Sequence, residues 1–349
     1  MKLDVQALDL KSVVEWSEAL STFRMAPDVY FRPGYHSACE ANGDGHSTAL
    51  VVRSGDECLL VPYLRCPIPG CTAEVDVQSA YGYGGPLFQS RASGFCAAAW
   101  SAVARVWKDQ GVVAAFLRLH PILDNARWLG PGWQIVDDRP TVSIDLRYGV
   151  SEAFAGSAGA NHRNMVRRAA QLGMSAACIQ ATALNLERFV TMYWDTMTRL
   201  RALPERYFTV EYFATLAAEL GDDLQIVEVV DVAGRAVCTA LIMYGPHWAH
   251  YHLSARIPDT VGCATNLLLQ CAAESAARRG LSAVHLGGGR TSDPLDSLYM
   301  FKGRVGQARH LYRTARLVVD QARYASLLGK WRLHHPGATP TWFLAYRQP

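Results

Sequence analysis

The stretch from His285 to Gly306 gathers residue types that chemistry can use: three consecutive glycines (Gly287, Gly288, Gly289), then Tyr299-Met300-Phe301-Lys302, then Gly303 and Gly306. A strand running into glycines lets its backbone approach a ligand closely, because no Cβ stands in the way. An aromatic wall of Tyr299 and Phe301 beside the Lys302 cation suits an acyl carbonyl held next to one fixed positive charge. Lysine is scarce in this chain: the 34 basic residues include only Lys2, Lys11, Lys108, Lys302 and Lys330. Its setting between Phe301 and Gly303 therefore favours a functional Lys302 over an ordinary surface lysine.

A second group is Asn161-His162-Arg163-Asn164-Met165-Val166-Arg167-Arg168. On a helix, Arg163 and Arg167 stand at i and i+4 on one face with Arg168 adjacent, and three guanidinium groups so placed can bind nucleic-acid phosphates through salt-sensitive contacts. A solvated basic face accounts for the same pattern. Tyr251 and Ser254 are pocket candidates on one strand; three residues apart, they share a face only if the strand carries a bulge. Arg199, Arg206 and Tyr207 sit at a helix end and in the loop after it. His120, inside an apolar strand-to-loop passage, reads as a structural hydrogen-bonding histidine, and Asp124-Asn125 as a turn or cap. Neither a Gly-x-Ser-x-Gly elbow nor a His-Glu-x-x-His, Walker or dinucleotide fingerprint is present, so hydrolase, zinc-peptidase, NTPase and dehydrogenase chemistry has no local support.

The elements that must position these groups follow from composition and period. The chain has 349 residues, 50% hydrophobic and 19% charged, with a net charge of +3. That excludes a disordered tail or a polycation and leaves nucleic-acid contact to local patches. Nine cysteines without a Cys-x-x-Cys pair read as reduced buried thiols, with no metal centre and no cofactor. The N-terminus lacks the apolar core of a signal peptide and no run of about 18 apolar residues occurs, so a cytoplasmic protein without a membrane span is expected.

Strands are expected at Thr48–Val52, Glu57–Leu64, Ala73–Ser79, Val112–Leu119 and Gln134–Leu146, with an amphipathic helix at Gly94–Lys108. In the second half the pattern predicts helices at Ser151–Ala158, Asn161–Leu172, Asn185–Arg201 and Val210–Leu220, with a strand around Met174–Gln180. A meander follows at Leu224–Val230, Ala236–Tyr244 and Trp248–Ser254. Helix Ala264–Arg279, strands Ala283–Leu286 and His310–Val319, and a last helix near Ala322–Trp331 complete the series. This order is that of a GNAT-type acyltransferase core, and the first half reads as a degenerate copy of it.

On the Leu298-Tyr299-Met300-Phe301-Lys302 segment after the glycine strand, the sequence resembles the Fem family of aminoacyl-tRNA-dependent peptidyltransferases. The resemblance extends to Ser79-Ala-Tyr-Gly-Tyr83-Gly-Gly-Pro86, to Ala115–Asn125, to Tyr193–Arg199 with Tyr207-Phe208 and Tyr212-Phe213, and to Asn266-Leu-Leu268. It implies an α+β fold with two GNAT-like domains in tandem: residues 1–147 first, 148–317 second with the active site, and about 318–349 returning to the first. It further implies catalysis at Lys302 and Phe301, with the cation at the aminoacyl ester. Tyr251, Ser254, Arg199, Arg206, Tyr207, Tyr299, Gly288, Gly289 and Tyr83 would bind substrate, and Arg163, Arg167 and Arg168 would hold tRNA. The implied donor is aminoacyl-tRNA and the implied acceptor an amine-bearing peptide or peptidyl-nucleotide. An acyl-CoA-dependent transferase of the same fold and a non-catalytic RNA-binding relative stay open. Against coenzyme A stands Asp259-Thr-Val-Gly262-Cys-Ala264, where an acidic residue occupies the place at which acetyltransferases put Gln or Arg to cradle pyrophosphate.

Overall fold

A computed structural model describes residues 1–92, 94–157 and 159–348. In chain order the elements are β1 (Asp4–Asp9), α1 (Val13–Ser21), α2 (Pro33–Ala41), β2 (His46–Ser54), β3 (Glu57–Pro67), β4 (Val75–Gln78), β5 (Leu87–Gln89), α3 (Phe95–Asp109), β6 (Val112–Arg118) and β7 (Gln134–Asp145). There follow α4 (Val150–Ala153), α5 (Ala160–Gln171), β8 (Ser175–Gln180), α6 (Ala183–Arg199), α7 (Val210–Leu220), β9 (Leu224–Val230), β10 (Ala236–Tyr244) and β11 (Trp248–Arg256). The last are α8 (Cys263–Arg278), β12 (Ala283–Gly288), α9 (Ser297–Val305), β13 (Ala308–Val318) and α10 (Gln321–His334). The expected helix Ser151–Ala158 is a single turn, α4, and its last residue, Ala158, lies outside the described residues. Gly156 follows with φ +63°, a conformation that stops a helix.

The chain divides into two compact units: Met1–Met25, Tyr30–Asp138 and Tyr312–Pro349 form the first, and Ala26–Val29 with Arg139–Leu311 the second. In the first unit the strand order is β1-β2-β3-β4-β6-β13, with β5 paired to β3. β1 to β4 are antiparallel neighbours, β4 and β6 are parallel, and β13 returns antiparallel to β6. In the second unit the order is β8-β9-β10-β11-β12-β7: four antiparallel strands, a parallel β11–β12 pair, and β7 antiparallel to β12. Helices occupy corresponding places, with α1 and α2 between the first two strands of one unit and α6 and α7 in the other. The parallel pair is connected by α3 in the first unit and α8 in the second. The two halves are therefore two copies of one α+β topology. Their final strands are exchanged along the chain: β7 follows β6 in sequence yet pairs with β12, and β13 follows β12 yet pairs with β6.

Each helix is held by an apolar stripe. In α3, Phe95, Ala99, Trp100, Ala102, Val103 and Trp107 recur at helical spacing and pack on Leu50, Val61 and Tyr63 of β2 and β3. In α8 the stripe is mainly small, with Ala264, Leu268, Leu269, Ala272, Ala273 and Ala276 against Ala240, Ile242 and Val284, so the helix lies close to its sheet. Side-chain oxygens cap α6 (Thr182) and α7 (Thr209).

The C-terminal segment is fixed in the first unit by a polar clamp. Arg347 Nε donates to fully buried Asp76 Oδ2 at 2.6 Å, Tyr346 Oη donates to Asp76 Oδ1 at 2.7 Å, and Arg347 Nη2 donates to the carbonyl of Cys66 at 2.6 Å. Burial pushes the Asp76 carboxyl up from its ordinary value, and Arg347 opposes that shift. Removing one partner of such a pair leaves an uncompensated charge, so Arg347→Ala is expected to cost about 3 kcal/mol of unfolding free energy. Asp76→Asn in that background should recover part of the loss, as read by denaturant titration. Equal stabilities of both variants and wild type would show the clamp to be inert.

Candidate active site

The second unit's parallel pair is joined over only three residue pairs, Trp248↔Ala283, Ala249↔Val284 and His250↔His285. Beyond them β11 continues to Arg256 and β12 to Gly288 without pairing to each other, so the two strands part. β11 also carries an extra residue: Leu241 of β10 faces Leu253 and Ile242 faces Tyr251, which leaves His252 as a bulge. The bulge resolves the spacing of Tyr251 and Ser254. Both come to one face, and the Ser254 hydroxyl lies close enough to draw the Tyr251 phenol down while burial, the larger effect, pushes it up.

β12 ends in the glycine run, where Gly287 takes a left-handed backbone and Gly288 and Gly289 leave no room for a side chain. Gly287 has φ +73°, a Cβ on Gly288 would lie 2.8 Å from the Pro140 carbonyl, and one on Gly289 would lie 2.5 Å from Asp296 Oδ1. Asp296 caps α9. Its Oδ1 accepts from the backbone N–H of Leu298 and Tyr299 at 2.9 and 3.0 Å, and its Oδ2 from those of Arg290 and Thr291 at 3.1 and 3.2 Å. These bonds hold its carboxyl below the ordinary value. Arg139 on β7 donates to the carbonyls of Gly289 and Arg290 at 3.3 and 2.8 Å. One aspartate and one arginine thus fix the glycine loop to the helix that follows it.

α9 presents Lys302 from this frame. Its Nζ donates to the Gly288 carbonyl at 2.8 Å and stands 6.0 Å from the centre of the Tyr251 ring. Lys302 is only 8% exposed, with Phe301, Tyr299 and Tyr251 packed on the apolar cluster around Leu286 and Val305. Burial pushes its ammonium down from 10.5 to about 8, with the Asp296 carboxylate pulling the other way. The arrangement places one poorly solvated cation, held by a backbone carbonyl and walled by aromatic rings, where two strands diverge. Such a cation can stabilise negative charge developing on a carbonyl oxygen far better than a hydrated one.

The sequence candidates are distributed unevenly. Lys302, Phe301, Tyr299, Gly288, Gly289, Tyr251 and Ser254 come together as described. Arg199 lies at the end of α6 and donates to the carbonyl of Arg256, the last residue of β11, at 2.8 Å. Tyr207 donates to Thr198 Oγ1 at 3.4 Å, and the Arg206 carbonyl accepts from Tyr193 Oη at 2.7 Å, so the three form an exposed corner by Arg256. Arg163 turns inward, with Nη1 donating to the carbonyls of Phe154 and, at 3.1 Å, Gly156; Arg167 donates to Asn164 at 2.8 Å, and Arg167 and Arg168 are exposed. Tyr83 belongs to the first unit, among Tyr30, His120 and Tyr312 at ring distances of 5.3, 5.8 and 5.6 Å. Asn125 pins its loop by donating to the carbonyls of Gly84 and Pro86 at 2.8 and 3.0 Å. Buried His120 accepts from the Leu123 N–H through Nδ1 at 3.2 Å, a structural bond. Sequence reasoning missed Asp296 and Arg139. The Asp296-Ser-Leu-Tyr299 pattern is a legible cap, whereas nothing local marks Arg139.

A meander feeding a parallel pair that parts after three residue pairs, with a buried lysine at the opening, is the geometry of the second unit. Consistent with this, residues 157–294 match the family described as acetyltransferase (GNAT) domain. Three solved structures share the fold at low identity. The FemX crystal structure superposes with a TM-score of 0.69 at 12% identity, covering 93% of this chain and 99% of that one. The C-terminal domain of a putative lysylphosphatidylglycerol synthetase from Agrobacterium fabrum gives 0.57 at 14%, covering 91% and 95%. L-PGS from Bacillus licheniformis gives 0.55 at 14%, covering 84% and 90%. No curated protein sequence matches the chain. Residues 157–294 thus match a GNAT domain, and the chain as a whole shares the tandem fold of these solved structures. No helix among the described residues is long and apolar enough to cross a membrane.

Because Lys302 binds its proton more weakly folded, near 8, than unfolded, near 10.5, the unfolded state holds more protons between those values and stability rises with pH there. Below about 8 the cost of the buried charge is fully present. Lys302→Met should therefore be more stable than wild type at pH 7 by up to about 3 kcal/mol, with the advantage shrinking by pH 10.5. Denaturant titrations at both pH values test this. A variant less stable at pH 7, or an advantage independent of pH, would contradict the assignment of a strained cation.

Proposed function

We propose that this protein transfers the aminoacyl group of an aminoacyl-tRNA to the amine of a peptide or peptidyl-nucleotide. The carrying observation is Lys302, buried, 2.8 Å from the Gly288 carbonyl and facing Tyr251 where β11 and β12 part. The acceptor amine attacks the ester carbonyl, the Lys302 ammonium stabilises the tetrahedral oxyanion, and collapse forms the amide while the ribose oxygen leaves and takes up a proton. No covalent enzyme intermediate and no cofactor enter this scheme. Catalysis rests on positioning and electrostatics. Supporting an aminoacyl donor, one fold neighbour is named for the synthesis of lysylphosphatidylglycerol, a lysyl group on a phospholipid.

The loop before α8 supports tRNA over coenzyme A. Asp259 is exposed at φ +58°, three residues before Gly262. A carboxylate there raises the energy of a pyrophosphate at the helix start. On α5 the exposed pair Arg167 and Arg168 remains for tRNA phosphates, Arg163 being engaged with Phe154 and Gly156.

With charged tRNA and candidate amines, product read by mass spectrometry should vanish on RNase treatment of the donor and be unaffected by millimolar coenzyme A. Product that survives RNase and grows with acetyl-CoA would make the protein an acyl-CoA-dependent N-acyltransferase. tRNA binding without any product would make it a non-catalytic relative. Lys302→Met should lower kcat by about 10²–10³-fold. The wild-type rate should fall above pH about 8, where Lys302 loses its proton, and the variant should lack that limb.

In a separate binding titration, Arg167→Ala with Arg168→Ala should reduce the slope of log affinity against log salt by about 0.9 for each duplex phosphate that the protein no longer neutralises. An unchanged slope would return α5 to the status of a solvated face.

A further inference from the structure

Cys178 lies on β8, the edge strand of the second unit's sheet, and Cys271 on α8, and their Sγ atoms are 3.8 Å apart. Both are partly exposed, whereas Cys39, Cys58, Cys66, Cys238 and Cys263 are buried. The surroundings are built for a thiolate on Cys178. The Ser275 and Tyr244 hydroxyls, themselves 2.9 Å apart, reach toward it, and Arg278 adds positive charge. The Arg279 guanidinium lies 4.0 Å over the Tyr244 ring. On Cys271 the balance is opposite, since the neighbouring Cys178 and Glu274 both oppose ionisation. One sulfur of the pair is thus prepared to attack and the other to keep its proton. Neither belongs to the Lys302 site.

We propose that Cys178 and Cys271 form a reversible thiol–disulfide site, with Cys178 as the attacking sulfur and Cys271 as the resolving one, oxidised by a low-molecular-weight disulfide. The Cys178 thiolate attacks one sulfur of the disulfide RSSR, forming a protein–S–S–R bond and releasing RS⁻, which takes a proton from solvent. Cys271 then gives up its proton and attacks the Cys178 sulfur, forming the internal disulfide and displacing a second RS⁻. The net change is two protein thiols plus RSSR to one protein disulfide plus two RSH. The product ties the edge strand β8 covalently to α8. It does so without any residue of the proposed acyl-transfer machinery, so its test is independent of that reading.

Hydrogen bonding from Cys271, ahead of the Ser275, Tyr244 and Arg278 contributions, draws the Cys178 thiol down from its ordinary value, and burial opposes it. Cys96, equally partly exposed, is shifted the other way by burial and serves as an internal control.

The experiment uses the intact chain incubated with oxidised glutathione at pH 7, followed by alkylation and peptide mass spectrometry. The expected result is a cross-linked peptide containing Cys178 and Cys271, with Cys178 modified roughly ten-fold faster than Cys96. Cys271→Ser should accumulate a stable glutathione adduct at Cys178, and Cys178→Ser should form neither cross-link nor rapid adduct. Wild type, and neither variant, should unfold at a higher temperature after oxidation. Absence of the cross-linked peptide from wild type, which needs no variant to fold, would overturn the proposal, as would modification of Cys178 no faster than Cys96.

Discussion

The parting of β11 from β12 after three residue pairs is the constraint on which the rest of the second unit depends. Parallel strands that separate leave backbone groups without a ladder partner, and those groups must find others or face a ligand. At Gly288, where β11 no longer runs beside β12, Lys302 donates to the carbonyl. The bulge at His252 acts on the other side of the gap, turning Tyr251 and Ser254 to the same face. The opening and its aromatic wall therefore rest on two irregularities, the parting of β11 from β12 and the bulge between β10 and β11.

That solution is costly to the fold, and the cost identifies the group. An isolated surface lysine would meet water and retain its ordinary affinity for protons. Here burial works against the ammonium, and the Asp296 carboxylate only partly offsets it. Asp296 in turn spends both oxygens on four backbone N–H groups, which makes it a rigid negative point rather than a mobile counter-ion. A cation held this way is available to an incoming oxyanion because, among the described residues, no side-chain carboxylate is paired with it directly.

How much of this could be read in the sequence follows from the range of the interactions. β9 and β10 lie where hydrophobic runs bounded by the Ala233-Gly234 turn put them, since Gly234 at φ +76° supplies the conformation the turn needs. The Gly-rich strand and the Lys302 segment were legible for the same reason: Gly288 and Lys302 are fourteen residues apart and linked through one local cap. The bulge was not legible, because an extra residue in a strand leaves no compositional mark. β1 alternates little, being exposed along most of its length, and so escapes a periodicity argument. Arg163 shows the limit on a helix face. The i, i+4 spacing with Arg167 is real, yet the chain just before α5 folds back and takes the Arg163 guanidinium for its own carbonyls.

The exchanged strand explains why the frame around Lys302 is distributed along the chain. β7 immediately follows the first unit's β6, yet its residues Thr141–Asp145 form the ladder with Gly288–Ala283. Its Pro140 carbonyl leaves room only for a glycine at 288, its Arg139 holds the carbonyls of Gly289 and Arg290, and its Ser143 carbonyl excludes any side chain from Gly306 at the exit of α9. Two of the glycines that mark the site in sequence, Gly288 and Gly306, are thus glycines because of a strand some 150 residues away. A fragment starting after Leu146 would keep Lys302 and every residue of the GNAT match while losing the strand that shapes the loop around them. The Lys302 segment and its supporting strand are separate in sequence and inseparable in the fold, so the lysine's setting requires residues from both halves of the chain.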